Sequence, residues 1–197
     1  MTEFLKNITD KDTLQDNLTF VSLYIAVYEH MADYVVSNIK FFLCEVGIKD
    51  GKEFFRETDA YKTKIRHRIV DEKGNKDKTK ASFLWLVDNG GISQLDYEKF
   101  LEIKDLRNQL VHELTSAIYR GLSVKDVEIF FDMYALYRKI SRFMFSIEAS
   151  IMGEELPDNF DLDGVKTTTD IMFGTILNVL YNGKSEEYKA LLAQQEK

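Results

Sequence analysis

The chain contains 197 residues and carries a formal net charge of −7 at pH 7, a length that predicts one domain. Hydrophobic residues make up 45% and charged residues 30%, which is the balance of a folded globular protein. The acidic charge argues against broad, nonspecific binding to duplex nucleic acid, because phosphates would be repelled, but it allows a local basic site.

Cysteine content and the N-terminus exclude further classes of protein. Cys44 is the single cysteine, so neither a disulfide framework nor a cysteine-based metal site is expected, and a reducing compartment fits best. The N-terminal sequence MTEFLKNITDKD lacks the basic and apolar regions of a signal peptide, and no window approaches the roughly 18 apolar residues of a membrane span. We therefore expect a cytoplasmic protein without a membrane-spanning segment.

A long helix from Leu14 to Val46 is the first predicted element. Apolar residues recur there at steps of three and four, the spacing of one helix face. Asp12 or Thr13 is suited to begin this helix and Gly47 to end it, so we expect it to span the domain. The apolar stripe consists of Leu18, Val21, Ile25, Tyr28, Ala32, Val35, Ile39 and Phe42.

A basic, irregular insertion is predicted at about residues 50–82. Eight lysines and arginines between Lys62 and Lys80 face only three acidic residues. Basic residues alternate with others over residues 62–69, and Gly74–Asn75 is a turn signal, so the pattern fits either a short hairpin or a loop. The alternating basic residues are Lys62, Lys64, Arg66 and Arg68.

The rest of the chain is predicted to be helical. Residues 81–89 indicate a short helix, and a longer helix capped by Ser93 runs to Gly121. A third long helix follows from Ser123 to Gly153, and a polar loop, a shorter helix and a charged tail close the chain.

These elements predict an all-α fold with no βαβ unit. We expect a single domain over residues 1–197, built as an up-and-down helical bundle because short loops make neighbouring helices antiparallel. The basic insertion separates the first two long helices, and a polar tail occupies about residues 184–197.

The helix that begins after Ser93 carries the residues best suited to chemistry. Arg107, Asn108 and His112 fall outside its predicted buried seam, so core packing does not explain them. Asn108 and His112 are four residues apart and hence neighbours, which predicts that the amide orients the imidazole. The buried seam consists of Leu106, Leu110, Leu114 and Ala117.

Arg107 and His112 point about 140° apart around a helix of 3.6 residues per turn, so they flank a groove and one helix alone makes an incomplete site. A histidine and an arginine without metal ligands suit phosphodiester transfer, with the histidine as general acid or base and the arginine stabilising phosphoryl charge. RNA supplies its own nucleophile, the 2′-hydroxyl. No metal and no cofactor is expected.

The pattern of Arg107, Asn108, three residues and His112 resembles the R-x4-6-H motif of HEPN (higher eukaryotes and prokaryotes nucleotide-binding) domains, which are helical bundles. The resemblance implies a metal-independent endoribonuclease that acts as a homodimer, with two motif helices forming one cleft. It also implies a toxin or abortive-infection effector against phage, with an antitoxin or regulatory protein as a possible partner. Leu114 replaces a tyrosine that is common in toxins paired with minimal nucleotidyltransferases, so control by tyrosine modification is unsupported.

The resemblance also implies polar groups of the first helix in the cleft, and Glu29 and His30 are the candidates because a carboxylate can orient a facing histidine. The basic residues Lys62, Lys64 and Arg66, together with Arg68, are candidates for RNA binding by charge. Both sets have a simpler interpretation as a solvated charged strip and a solvated loop.

Three functions therefore stay open. The first is a HEPN-type ribonuclease that leaves a 2′,3′-cyclic phosphate. The second is a noncatalytic module of the same fold, in which the groove of Arg107 and His112 binds RNA, a nucleotide or a protein. The motif itself also has a simpler interpretation, in which His112 is a surface histidine and Arg107 pairs with Glu113 or Asp105. The third is a structural interaction module, whose 14 phenylalanines and 10 tyrosines serve a core and a dimer face.

Overall fold

The computed structural model describes residue 7 and residues 9–153, 157, 160–162 and 164–181, the last five of these by their backbone alone. The predicted polar tail at about residues 184–197 lies outside the described residues.

The described chain is mainly α-helical, which confirms the predicted class at that level. None of the described helices is both long enough and apolar enough to cross a membrane. The main helices are α1 (Lys11–Leu43), α2 (Lys78–Asp88), α3 (Gln94–His112), α4 (Leu114–Arg120), α5 (Val124–Ile151) and α6 (Thr168–Tyr181).

A β-hairpin corrects the all-α prediction. The first helix ends at Leu43, and the chain continues as strand β1 (Cys44–Lys49), which pairs antiparallel with β2 (Lys52–Glu57). Asp50 and Gly51 form the two-residue turn, with φ of 53° and 73°. An Asp-Gly turn with two positive φ angles matches the right-handed twist of paired strands. This dipeptide therefore indicated a hairpin, but the helical pattern of the preceding residues obscured it.

The rest of the insertion is more ordered than predicted. Residues 62–66, expected as a strand or loop, form a π-helical turn after the helical turn at Asp59–Tyr61. The predicted Gly74–Asn75 turn forms, closed by backbone hydrogen bonds of Asp71 with Asn75 and Gly74, but an isolated bridge between Val70 and Lys76 takes the place of a strand pair. Burial of Ile65 and Tyr61 favours the helical turn, because it directs both apolar side chains into the core.

Two predicted helix starts are confirmed. Ser93 accepts a hydrogen bond from the backbone of Asp96 and Ser123 from that of Asp126, and each aspartate accepts one in return from the backbone of its serine. These reciprocal bonds satisfy amides that have no partner within a helix.

The helix predicted to run to Gly121 is interrupted at Glu113, whose φ of −120° and ψ of 35° lie outside the helical range. His112 is therefore the last residue of α3. The interruption also changes which side chains face the core: Leu110 and Ala117 are buried as predicted, whereas Leu114 is 41% exposed.

Ion pairs fix the relation between α3 and α5. Asp96 pairs with Lys139 at 2.5 Å and Lys99 with Asp132 at 2.5 Å. Residue numbers rise along one helix as they fall along the other, so the two helices run antiparallel.

Aromatic contacts join α1 to α5. Phe20 and Tyr24 pack against Phe130, and Tyr34 packs further along against Tyr137. Residue numbers rise together, so α1 and α5 run in the same direction. Tyr24 is fully buried and its hydroxyl donates to the carbonyl oxygen of Ile103 on α3 at 2.9 Å, which ties α3 to the same core.

Phe130 lies at the centre of this core with no exposed surface. We expect Phe130→Ala to lower the free energy of unfolding by about 3–5 kcal/mol, because it removes buried apolar surface and leaves a cavity. Urea denaturation measures the change. Phe41→Ala, on a ring that is 56% exposed on α1, is the control and should cost less than about 1 kcal/mol; equal losses would contradict the assigned core.

Candidate functional site

Arg107 on α3 is held by Glu29 on α1. The Nε atom of Arg107 donates to Glu29 Oε1 at 2.8 Å, and its Nη2 atom donates to the same oxygen. Both side chains are only partly exposed, Arg107 at 27% and Glu29 at 44%. The structure thus brings together two residues that lie 78 positions apart in the sequence, and it fixes the plane of the guanidinium group.

Tyr28 completes the support of Arg107. The Cζ atom of Arg107 lies 5.7 Å from the centre of the Tyr28 ring, within the range of a cation–π contact. Burial and the charges of Glu29 and Asp77 together raise the pKa of Tyr28 to about 12, although the charge of Arg107 acts to lower it. Tyr28 is therefore protonated at neutral pH and packs beneath the arginine as a neutral ring.

Asn108 acts on Arg107 and not on His112. Its Oδ1 atom accepts a hydrogen bond from Arg107 Nη1 at 3.2 Å. This contact stands in place of the predicted one between Asn108 and His112. His112 is exposed, and its imidazole forms no hydrogen bond within the described part of the chain.

The two candidate residues of α1 separate. Glu29 contacts Arg107 on α3, whereas the exposed His30 packs edge-on against Tyr137 of α5, with 5.8 Å between ring centres. Consecutive helix residues point about 100° apart, so one residue faces each neighbouring helix. The geometry joins Glu29 to the site of Arg107 and joins His30 to a different surface.

Most of the predicted basic cluster is neutralised by carboxylates. Three of its four members form ion pairs: Lys62 with Asp59 at 3.0 Å, Arg66 with Glu57, and Arg68 with both oxygens of Asp88 at 2.6 and 3.2 Å. Lys64 is exposed and forms no ion pair among the described residues. The first two pairs lie within the insertion, and the pair of Arg68 and Asp88 attaches it to α2. The charge available for RNA at these positions is small.

Tyr28 and Lys104 belong to the site but were missed from the sequence. Tyr28 was assigned only to the apolar stripe of the first helix, although its neighbour Glu29 was a candidate for the site on the same helical turn. Lys104 lies three residues before Arg107, hence on the same side of α3, and its Nζ atom bonds Asp77 Oδ2 at 2.5 Å. The spacing of three residues between Lys104 and Arg107 was the sequence feature that could have identified Lys104 as part of the site.

The arrangement is suited to holding a phosphate. Arg107 has five N–H groups, and Glu29 and Asn108 accept from three of them. One N–H on each terminal nitrogen is left within the described structure, which matches the two-pronged geometry of phosphate oxygens. The described residues hold no group of three or more metal-ligating side chains.

No protein-family model matches the chain, and comparisons with curated proteins and with solved structures found no match either.

The contact between Glu29 and Arg107 predicts energetic coupling. A double-mutant cycle with Glu29→Gln and Arg107→Met should give about 0.5–1 kcal/mol, because two N–H groups share one carboxylate at a half-buried position. Urea denaturation of the four proteins measures the coupling. The same cycle on Glu45 and Arg56, an exposed pair 3.5 Å apart, is the control and should give below about 0.3 kcal/mol. Equal coupling in the two cycles would mean that Glu29 does not hold Arg107.

Proposed function

We propose that the protein is a metal-independent endoribonuclease of the HEPN type. The observation that carries the proposal is the fixed guanidinium of Arg107, held by Glu29 and Asn108, five residues before a histidine that is exposed at the end of the same helix. The up-down-up course of α1, α3 and α5 supports a HEPN-like bundle as its scaffold.

The chemistry follows from the two side chains. The 2′-oxygen of a ribose attacks the adjacent phosphorus, the bond from phosphorus to the 5′-oxygen breaks, and a 2′,3′-cyclic phosphate and a 5′-hydroxyl end result. Arg107 stabilises the negative charge that builds on the phosphoryl oxygens. His112 accepts the proton of the 2′-hydroxyl or supplies one to the departing 5′-oxygen. Glu29 and Asn108 position the arginine.

A homodimer supplies what one copy lacks, because one histidine does not serve both proton transfers at once. The six residues 111–116 are all exposed, although a helix packed on its own core buries about one residue in three or four. They include Val111 and Leu114, which are 39% and 41% exposed, and Tyr119 nearby is 39% exposed. An apolar surface beside His112 supports contact with a second copy there.

We expect Leu114→Asp to convert the dimer to a monomer, because the carboxylate would be desolvated in an apolar interface. Sedimentation velocity of the purified protein measures the change. Ile171→Asp is the control, on a side chain of α6 that is 65% exposed and outside the proposed interface. A monomeric wild-type protein, or a dimer that survives Leu114→Asp, would count against this interface.

Cleavage of mixed-sequence RNA in EDTA is the direct test of the ribonuclease. We expect wild-type protein to leave 2′,3′-cyclic phosphate ends and His112→Ala to lose roughly 10²–10⁴-fold in rate, the usual contribution of a general acid or base. His67→Ala is the matched control, because His67 is also exposed but lies in the insertion. The assignment would be refuted if the His112 variant cleaved RNA as fast as wild-type protein, or if only the His67 variant lost cleavage.

The cellular role that this activity supports is that of a toxin or phage-defence effector in the cytoplasm, where RNA is the substrate and an antitoxin or other regulatory protein restrains it. Growth of the expressing cell should then slow with wild-type protein and recover with His112→Ala.

A noncatalytic binding module is the second candidate. The favouring observation is that Arg107 is already paired with Glu29, while Asn108 does not contact His112. RNA that is bound but never cut, with binding lost in an Arg107→Ala variant, would select this function over the ribonuclease.

A further inference from the structure

A groove of about 670 Å³ lies between the loop before α2 and the side of α3 that carries Arg107. The two acidic residues that line it, Asp71 and Asp77, both accept hydrogen bonds from other residues of the protein. Hydrogen bonds from the side chain and backbone of Asn75 hold the pKa of Asp71 below its usual value. Burial alone would raise the pKa of Asp77, but bonds from Lys104 and the backbone of Lys80 outweigh it and lower the pKa.

Lysines dominate the remaining charge of this groove. Lys76, Lys78 and Lys80 line it together with Lys104, and within the described residues the first three form no ion pair. Three cations within five residues repel one another, and two of them lie in the first turn of α2, where the helix dipole also disfavours positive charge. Asp77 offsets only part of this positive charge, so the groove attracts further anions.

The groove adjoins the site of Arg107. Lys104 and Arg107 are three residues apart on α3, so their side chains are neighbours. Tyr28, which packs beneath Arg107, also experiences the charge of Asp77, the residue bonded to Lys104. Lys104 thus connects the two places, because it neighbours Arg107 on α3 and lines the groove with these lysines.

We propose that the groove formed by Lys76, Lys78 and Lys80 binds the phosphates of a single RNA strand next to the bond that is cut, an inference that rests on the proposed ribonuclease function. It replaces the ion-paired cluster at residues 62–68 as the principal RNA contact of the insertion. Lysine binds phosphate by charge and not by base identity, so the groove extends the substrate contact without adding sequence preference.

The test compares two triple variants of the full chain. One carries Lys76→Gln, Lys78→Gln and Lys80→Gln. The control carries Lys49→Gln, Lys52→Gln and Lys166→Gln, which remove the same charge from exposed positions of the hairpin and of the segment before α6. The probe is a short 2′-O-methyl RNA strand, which lacks the nucleophile and stays uncut, with affinity measured over a range of salt concentrations.

We expect the groove variant to bind roughly tenfold more weakly or worse, with the slope of log affinity against log salt smaller by about two, as for three lost phosphate contacts on a single strand. The control variant should lose far less affinity for the probe. An unchanged slope in the groove variant, or equal losses in the two variants, would overturn the proposal.

Cleavage of unmodified RNA by wild-type protein separates this proposal from the ribonuclease itself. If wild-type protein cuts RNA and the groove variant binds the probe normally, the groove proposal alone fails. If wild-type protein binds the probe but never cuts RNA, and the groove variant binds the probe more weakly, the ribonuclease fails, and with it the placement of the groove beside a cut bond, while RNA binding by the groove itself is retained. Thermal unfolding of both variants checks that each is folded.

Discussion

The contact between Arg107 and Glu29 is the interaction on which the rest of the site depends. It connects α3, which carries the motif, to α1, and it is supported from below by the Tyr28 ring. A free arginine side chain on a helix surface samples many rotamers, whereas a guanidinium bonded through two nitrogens has one orientation. Pre-organisation of this kind is what electrostatic stabilisation of a transition state requires.

The core beneath this contact explains why it forms where it does. Tyr24 is buried and bonds the carbonyl of Ile103, one helical turn before Arg107, and it packs against Phe130 of α5. The Tyr24 ring, packed on α5 and bonded to α3, thus helps to set the distance at which Glu29 meets Arg107. The interruption at Glu113 then redirects the chain and leaves His112 and its neighbours uncovered, so one helix presents a rigid arginine and an accessible histidine.

The charges of the insertion divide into two groups with different roles. Arg66 bonds Glu57 within the insertion, and Arg68 bonds Asp88 of α2 and so attaches the insertion to the domain. The later lysines lack such partners in the described structure and surround a groove beside α3. An acidic protein can in this way carry a local cationic surface, since salt screens charges that lie more than about 8–10 Å apart.

Local sequence determined the helices, their serine caps and the motif, because helix periodicity and capping depend on residues three or four apart. It also contained the Asp50–Gly51 turn, although a helical pattern masked it. Tertiary structure alone decided that Glu29 meets Arg107 while His30 does not, and which lysines are neutralised. Those outcomes depend on helix packing and on ion pairs between distant segments, which no local periodicity encodes.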